Sequence, residues 1–175
     1  IEPKRLADAL NFHMKPHPIV VLSAALAPPD WNPRFSAVGR EYRYVILDRR
    51  TRPALAAGRV WHISHRLNEV AMNSAAQLLL GRHDFTSFRA SACQAKSPVR
   101  TLDCLDVSRV GDQVVVRAAA RSFLHHQVRN MVGTLKLVGD GHWPVSALER
   151  VLAAKDRAAA GPTAPADGLA LVAVR

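Results

Sequence analysis

The chain has 175 residues, enough for one well-formed core or for one domain with part of another, and 49% of them are hydrophobic. No apolar run approaches the ~18 residues needed to span a bilayer, so the composition is that of a soluble globular protein. Its charge is dominated by arginine: 19 Arg and 5 Lys against 14 acidic residues give a net charge of +10, which favours a polyanionic partner because neutralising phosphates releases counterions.

Arginine suits such a partner, since its planar fork binds phosphate at two points and stacks on bases. Cys93 and Cys104 are the only cysteines, too few for a disulfide framework and without the spacing of a zinc site, so a reducing compartment is expected. The chain begins Ile1-Glu2-Pro3, with no initiator Met and no signal peptide, which leads us to expect a piece of something longer.

In chain order, residues 18–26 form an apolar run ended by Pro28-Pro29 and read as a strand closed by a turn. Residues 1–30 are accordingly expected to be the remnant of an N-terminal domain (strand and linker), and residues 31–175 a C-terminal α/β domain. Residues 40–47 alternate, with Tyr42, Tyr44 and Ile46 on one face and Arg43, Val45 and Leu47 on the other, which is a strand pattern. Asn68 is placed to cap a helix whose apolar positions are Val70, Ala71, Ala75, Leu78 and Leu79, with Gly81 as its stop. Two strands follow at 101–108 and 113–119, joined at Gly111-Asp112.

Ser122 is the candidate cap of a second helix carrying Leu124, Val128, Met131, Val132 and Leu135 and closed by Gly139. Ser146 and Glu149 have the spacing of a capping box for a helix running to Lys155. After an Ala/Pro/Gly-rich loop at 158–168, residues 169–174 read as a final buried strand. The predicted class is α+β, a predominantly antiparallel sheet with helices on one face. The order is the split β-α-β-β-α-β arrangement of RRM-like folds, with one additional helix. In RNA-binding modules of this kind the uncovered face receives bases.

Three clusters carry chemical signals. Arg34-Phe35-Ser36 is followed by Arg40-Glu41-Tyr42-Arg43-Tyr44, in which aromatic rings alternate with guanidiniums; the tyrosines are either base-stacking platforms or ordinary half-buried strand residues. Residues 81–89 (Gly-Arg-His-Asp-Phe-Thr-Ser-Phe-Arg) make a loop with two Phe and two Arg. Phe85 and Phe88 either meet RNA or plug the loop onto the core. Residues 123–133 place His125, Arg129 and Gly133 at i, i+4 and i+8 of a helix, where Gly133 lets a backbone or ligand approach closely. Arg129 is then a solvated charge or one partner of an ion pair in a pocket. The neighbouring His125 and His126 would diverge by about 100° on a helix, so no metal site is expected.

Together the motifs R-F-S-A and Y-R-Y (34–37 and 42–44), L-G-x-H-D-F-T-S-F-R (80–89), F-L-H-H-Q-V-R-N-M-V-G (123–133), L-A-A-K-D-R (152–157) and G-L-x-L-V-A-V (168–174) resemble the bacterial tRNA pseudouridine synthase A family. Order and spacing agree along nearly the whole chain, with the first thirty residues matching least. The resemblance implies the pseudouridine synthase fold and isomerisation of uridine in the tRNA anticodon stem-loop, without cofactor or metal, by a cytoplasmic homodimer that grips tRNA across both subunits.

In the family an aspartate attacks or assists at the target nucleoside, a tyrosine packs on the extruded uracil, and an arginine pairs with the aspartate. Carried onto matching positions, the tyrosine is Tyr42, the arginine Arg129, and Leu169 a wall of the uracil pocket; His125 is a further candidate for substrate binding. Arg40, Arg43, Arg89, Lys96, Arg100 and Arg121 are the candidate RNA contacts.

The chain departs from the family at one place. The R-T-D-A-G-V-H segment that holds the aspartate is absent, and the ten aspartates from Asp8 to Asp167 lie in other contexts. An inactive enzyme fragment is therefore expected, the alternative being a non-catalytic RNA-binding module. Arg129, deprived of its carboxylate, is expected to be accessible or to hold another anion. The sheet is expected to expose an edge that invites association.

Overall fold

The computed structural model describes residues 1–33 and 35–175, so Arg34 of the first cluster lies outside the described residues. The chain divides into two compact units, Ile1–Ser36 and Ala37–Arg175. The first unit opens with helix α1 (Pro3–His13), started by proline in its first turn. Residues 18–26 do not form the expected strand. Asn11 takes the place of a ladder partner there: its side chain donates to the Val21 carbonyl (2.9 Å) and accepts from the Val21 amide (2.7 Å). An apolar run becomes a strand only where another strand supplies its hydrogen bonds. Among the described residues none pairs with this run, and Val20, Leu22 and Leu26 are exposed.

The second unit is built on β1 (Arg40–Asp48), β2 (Trp61–Ile63), α2 (Glu69–Gln77), β3 (Gly81–Asp84), β4 (Val99–Val110), β5 (Gln113–Ala120), α3 (Gln127–Gly139), α4 (Ala147–Ala154) and β6 (Leu169–Val174). The sheet order is β2-β1-β5-β4-β3. The other edge of β1 is shared: β6 pairs with its first half at residues 40–44, and β2 runs parallel to its last three residues. All other pairings are antiparallel, so β6-β1-β5-β4 gives the strand order of a split β-α-β-β-α-β sheet. Tyr44, Ile46, Leu105, Val107, Val114 and Val116 point to one face, where they pack with Met72 and Ala75 of α2, with Leu79 just after it, and with Val128, Met131 and Leu135 of α3. The opposite face carries exposed Arg43, Asp106 and Arg117.

Several local expectations change. Asn68 caps α2 as read, accepting from the Ala71 amide at 3.0 Å, but the buried face is Met72-Ala75-Ala76-Leu79 and Val70 is 68% exposed. Packing against α3 and β4 selects that face over the Val70 side. Gly81, in left-handed geometry (φ +89°), opens β3 instead of ending the helix, which stops at Gln77.

Helix α3 begins five residues after Ser122, which is not its cap. Residues 121–126 instead form a loop that seats Leu124 in the core, and the Gln127 side chain accepts from the Leu124 amide at 2.8 Å. His126 takes the left-handed conformation (φ 60°) just before the first turn. The Ser146–Glu149 capping box is not formed, because Ser146 is already helical and makes no side-chain cap hydrogen bond. Among the described residues strand β6 is an edge strand with β1 as its one neighbour, so Leu171, Val172 and Val174 are more than half exposed and not buried as expected.

At the far end of β1, fully buried Asp48 makes a two-point pair with Arg109 of β4 (2.8 and 2.9 Å). Arg109 also donates to Glu69 of α2 at 2.9 Å and to the Leu67 carbonyl at 2.8 Å. One guanidinium thus ties sheet to helix away from the candidate site.

Candidate functional site

Strand β1 sets Tyr42 between Ala118 of β5 and Leu171 of β6, so a small neighbour on one side leaves room above the ring. The ring meets Phe123 edge-on (centroids 5.2 Å apart, 85°), an arrangement that fixes both planes. The loop carrying Phe123 is tied back to β1 by Arg40, which donates to the Arg121 carbonyl at 2.6 Å. It is braced from outside as well, where the Ala90 amide donates to the His125 carbonyl (3.1 Å) and the His125 amide donates to Cys93 Sγ (3.4 Å).

Phe85 and Phe88 are fully buried, so they plug their loop onto the core and are not free to meet a base. His125 lies before the helix, not on it. Its ring is 3.9 Å from that of His126 and tilted by 33°.

From α3, half-buried Arg129 reaches toward the same place. Its Nε donates to the Ala164 carbonyl at 2.7 Å, and a terminal nitrogen lies 3.3 Å from His126 Nε2. Burial, then the neighbouring His125 and Arg129, hold the His126 imidazole below its ordinary pKa. With Nε2 unprotonated, the ring accepts a hydrogen bond from Arg129. No carboxylate lies within 4 Å of Arg129 among the described residues.

The segment 160–168 completes the wall. Gly133 of α3 has no Cβ, and any side chain there would collide with the Pro162 carbonyl. The close approach expected of Gly133 is thus made by backbone. Asn130, fully buried, donates to the Phe88 carbonyl (2.8 Å) and accepts from Thr163 (2.6 Å) and Arg157 (3.2 Å). The Tyr44 hydroxyl donates to the Pro165 carbonyl at 2.7 Å. Burial lifts its pKa far above the usual range, with Arg129 opposing and Asp167 adding to the rise. A side chain on Gly168 would strike the Tyr44 ring. The next residue, Leu169, pairs with Tyr44 across the ladder and lines the same hollow as Tyr42.

The result is a hollow of about 480 Å³ whose lining includes Arg40, Tyr42, Phe123, His125, Arg129 and Leu169. It lies within the roughly 300–1,000 Å³ usual for small-molecule sites. Aromatic and aliphatic walls suit a flat base, and the guanidiniums of Arg40 and Arg129, neither with a carboxylate within 4 Å among the described residues, stand at the side. Tyr42, Arg129, Leu169, His125 and Arg40, all candidates from the sequence, share this one cavity.

The other candidate RNA contacts do not join them. Arg43 points to the opposite sheet face, Lys96 is exposed on the 90s loop, and Arg89 donates to the Cys93 and Ala95 carbonyls (2.6 and 2.8 Å), shaping that loop. Arg100 and Arg121 lie in a neighbouring groove. Sequence reasoning missed Phe123, His126, Asn130, Arg157 and Thr163. A polar Asn within the apolar stripe of α3 was the available signal for the buried network.

Residues 75–175 match the family model described as tRNA pseudouridine synthase. The tRNA pseudouridine synthase A of Acidiphilium cryptum is 65% identical over 176 residues, covering 100% of this chain and 69% of that protein. The chain belongs to the tRNA pseudouridine synthase family. Further relatives of this family bear the same name: that of Rhodospirillum centenum is 63% identical (94% of this chain, 67% of the relative), and that of Gluconobacter oxydans 55% identical (99% and 63%). The chain thus spans about two thirds of the length of these relatives. The family model begins within α2, so β1 and Tyr42 fall in the part matched by the relatives alone.

Proposed function

We propose that the chain supplies the base-binding wall and the arginine partner of a tRNA pseudouridine synthase acting on uridine in the anticodon stem-loop, and that it is inactive alone. The observation that carries this reading is the convergence of Tyr42, Arg129 and Leu169 on one hollow. In the reaction the C1′–N1 bond breaks, the uracil turns, and C1′ rejoins at C5 with loss of the C5 proton to a base. The reaction is an isomerisation and needs no external electron or group donor.

Tyr42 packs on the extruded uracil, its ring held by Phe123, and its hydroxyl is the candidate acceptor of the C5 proton. Arg129, with Nε spent on Ala164, presents its remaining donors to an incoming carboxylate and keeps that group ionised and aimed at C1′. That carboxylate comes from an R-T-D-A-G-like segment outside this sequence. Assembly as a cytoplasmic homodimer gripping tRNA belongs to the same reading.

Release of tritium from tRNA labelled at uridine C5 tests it. The chain alone is expected to bind an anticodon stem-loop and release nothing above background. Joined to a segment carrying the R-T-D-A-G motif, it is expected to release tritium. Release by the chain alone would overturn the assignment of the nucleophile. Binding without release in the joined protein would favour a non-catalytic RNA-binding module.

A further inference from the structure

Next to the hollow lies a second, polar groove of about 370 Å³ lined by Arg82, Ser97, Arg100, Thr101, Arg121 and Ser122. Ser122 lines both cavities, so they adjoin. The three guanidiniums arrive from different elements: Arg82 from β3, Arg100 from β4 and Arg121 from the loop between β5 and α3. Arg82 stands directly across the ladder from Thr101. One acidic side chain, Asp103, also lines the groove, so three positive charges against one negative leave a net +2.

None of the three arginines has a carboxylate within 4 Å among the described residues, whereas Arg49, Arg66, Arg109, Arg117 and Arg175 are all paired with Asp or Glu. Arg100 is oriented by its own turn, donating from one terminal nitrogen to the Ser97 and Val99 carbonyls (2.9 and 2.7 Å). Among the described residues its Nε is buried without a hydrogen-bond partner, so its other terminal nitrogen is the group left to meet an acceptor in the groove. Serine and threonine hydroxyls beside unpaired guanidiniums suit a tetrahedral oxyanion.

We propose that this groove holds the phosphodiester flanking the nucleotide whose base enters the Tyr42 hollow, a placement that rests on the nucleoside reading of that hollow. Anchoring the backbone beside an extruded base fixes the register of the strand without reading its sequence. The shared chemistry would also admit a free phosphate ion, which the test separates.

Binding of a fluorescent RNA hairpin with a uridine-containing loop is measured by anisotropy across a series of KCl concentrations. The proteins are the full chain and its Arg82→Gln, Arg121→Gln, Arg52→Gln and Tyr42→Ala variants. Arg82 and Arg121 are exposed, and thermal melts confirm folding; Arg82→Lys, which keeps the charge, serves as the rescue. Each lost phosphate contact is expected to reduce the slope of log K against log salt by about 0.7–0.9. Arg82→Gln and Arg121→Gln are each expected to show that fall, and the exposed, distant Arg52→Gln to show none.

Unchanged slopes in both groove variants overturn the proposal. It is equally overturned if millimolar inorganic phosphate binds the wild-type chain, Arg82→Gln abolishes that binding, and the RNA slope stays as it was. Failure of the hollow reading appears separately, as unchanged RNA affinity in Tyr42→Ala whatever the arginine variants do.

Discussion

Replacing Asn130 with alanine removes three hydrogen bonds at once from a fully buried position on α3. The amide donates to the Phe88 carbonyl and accepts from Thr163 and Arg157 at 2.8, 2.6 and 3.2 Å. Each such bond contributes about 1 kcal/mol net, and leaving buried partners unpaired adds to the loss. Thr163 and Arg157 retain each other at 3.0 Å, and Arg157 still reaches the Gly161 carbonyl at 2.9 Å, so part of the network survives.

A loss of about 3 kcal/mol follows, which for a chain of this length lowers the melting midpoint by roughly 6–12 °C. Urea unfolding followed by circular dichroism measures it. The same change loosens the 160–168 segment, whose Ala164 carbonyl holds Arg129 in the hollow. A loss below about 1 kcal/mol would refute the view that this network pins the wall of the site to α3.

Gly133→Ala places a methyl group against the Pro162 carbonyl, and overpacking of that kind is expected to cost at least about 1–3 kcal/mol, measured in the same urea assay. Asp48→Ala leaves Arg109 without its buried two-point partner and is expected to cost about 3–5 kcal/mol. The Asp48 carboxyl is pushed up by burial, but hydrogen bonds from Arg109 and the Leu67 amide outweigh this and hold it below the ordinary carboxylate value of about 4. A depressed folded-state pKa adds stability above the unfolded value and loses it as pH falls through the folded one. Stability is therefore expected to fall below about pH 4, and Asp48→Asn to flatten that acid limb in a pH series of melts. Tyr42→Ala removes one base platform; stacking of about 1–3 kcal/mol predicts roughly a 5- to 150-fold weaker grip on a uridine loop by anisotropy, with the salt slope unchanged.

Much of this architecture is legible in local pattern. Alternation at 40–47 gives β1 and its two faces, and Gly111-Asp112 marks the β4–β5 turn where Gly111 takes φ +60°. What local pattern misses is set by distant partners. Residues 18–26 have strand composition, yet no ladder partner reaches them among the described residues, and the Asn11 side chain takes Val21 instead. The start of α3 moves from Ser122 to Gln127 because Leu124 is drawn into the core and the Gln127 amide satisfies its backbone. Tyr42, Arg129 and Leu169 stand out through their motifs. Their meeting depends on β6 pairing with β1 and on Gly133 admitting the Pro162 backbone, neither of which is a local property.

The most direct test of the uridine hollow is photocrosslinking of a stem-loop RNA carrying one 5-iodouridine, followed by mapping of the modified peptide. The account predicts attachment at Tyr42 or Phe123, whose rings meet at 5.2 Å in the cavity. Attachment on the opposite sheet face, at peptides bearing Asp106 or Arg117 without either ring, would contradict it.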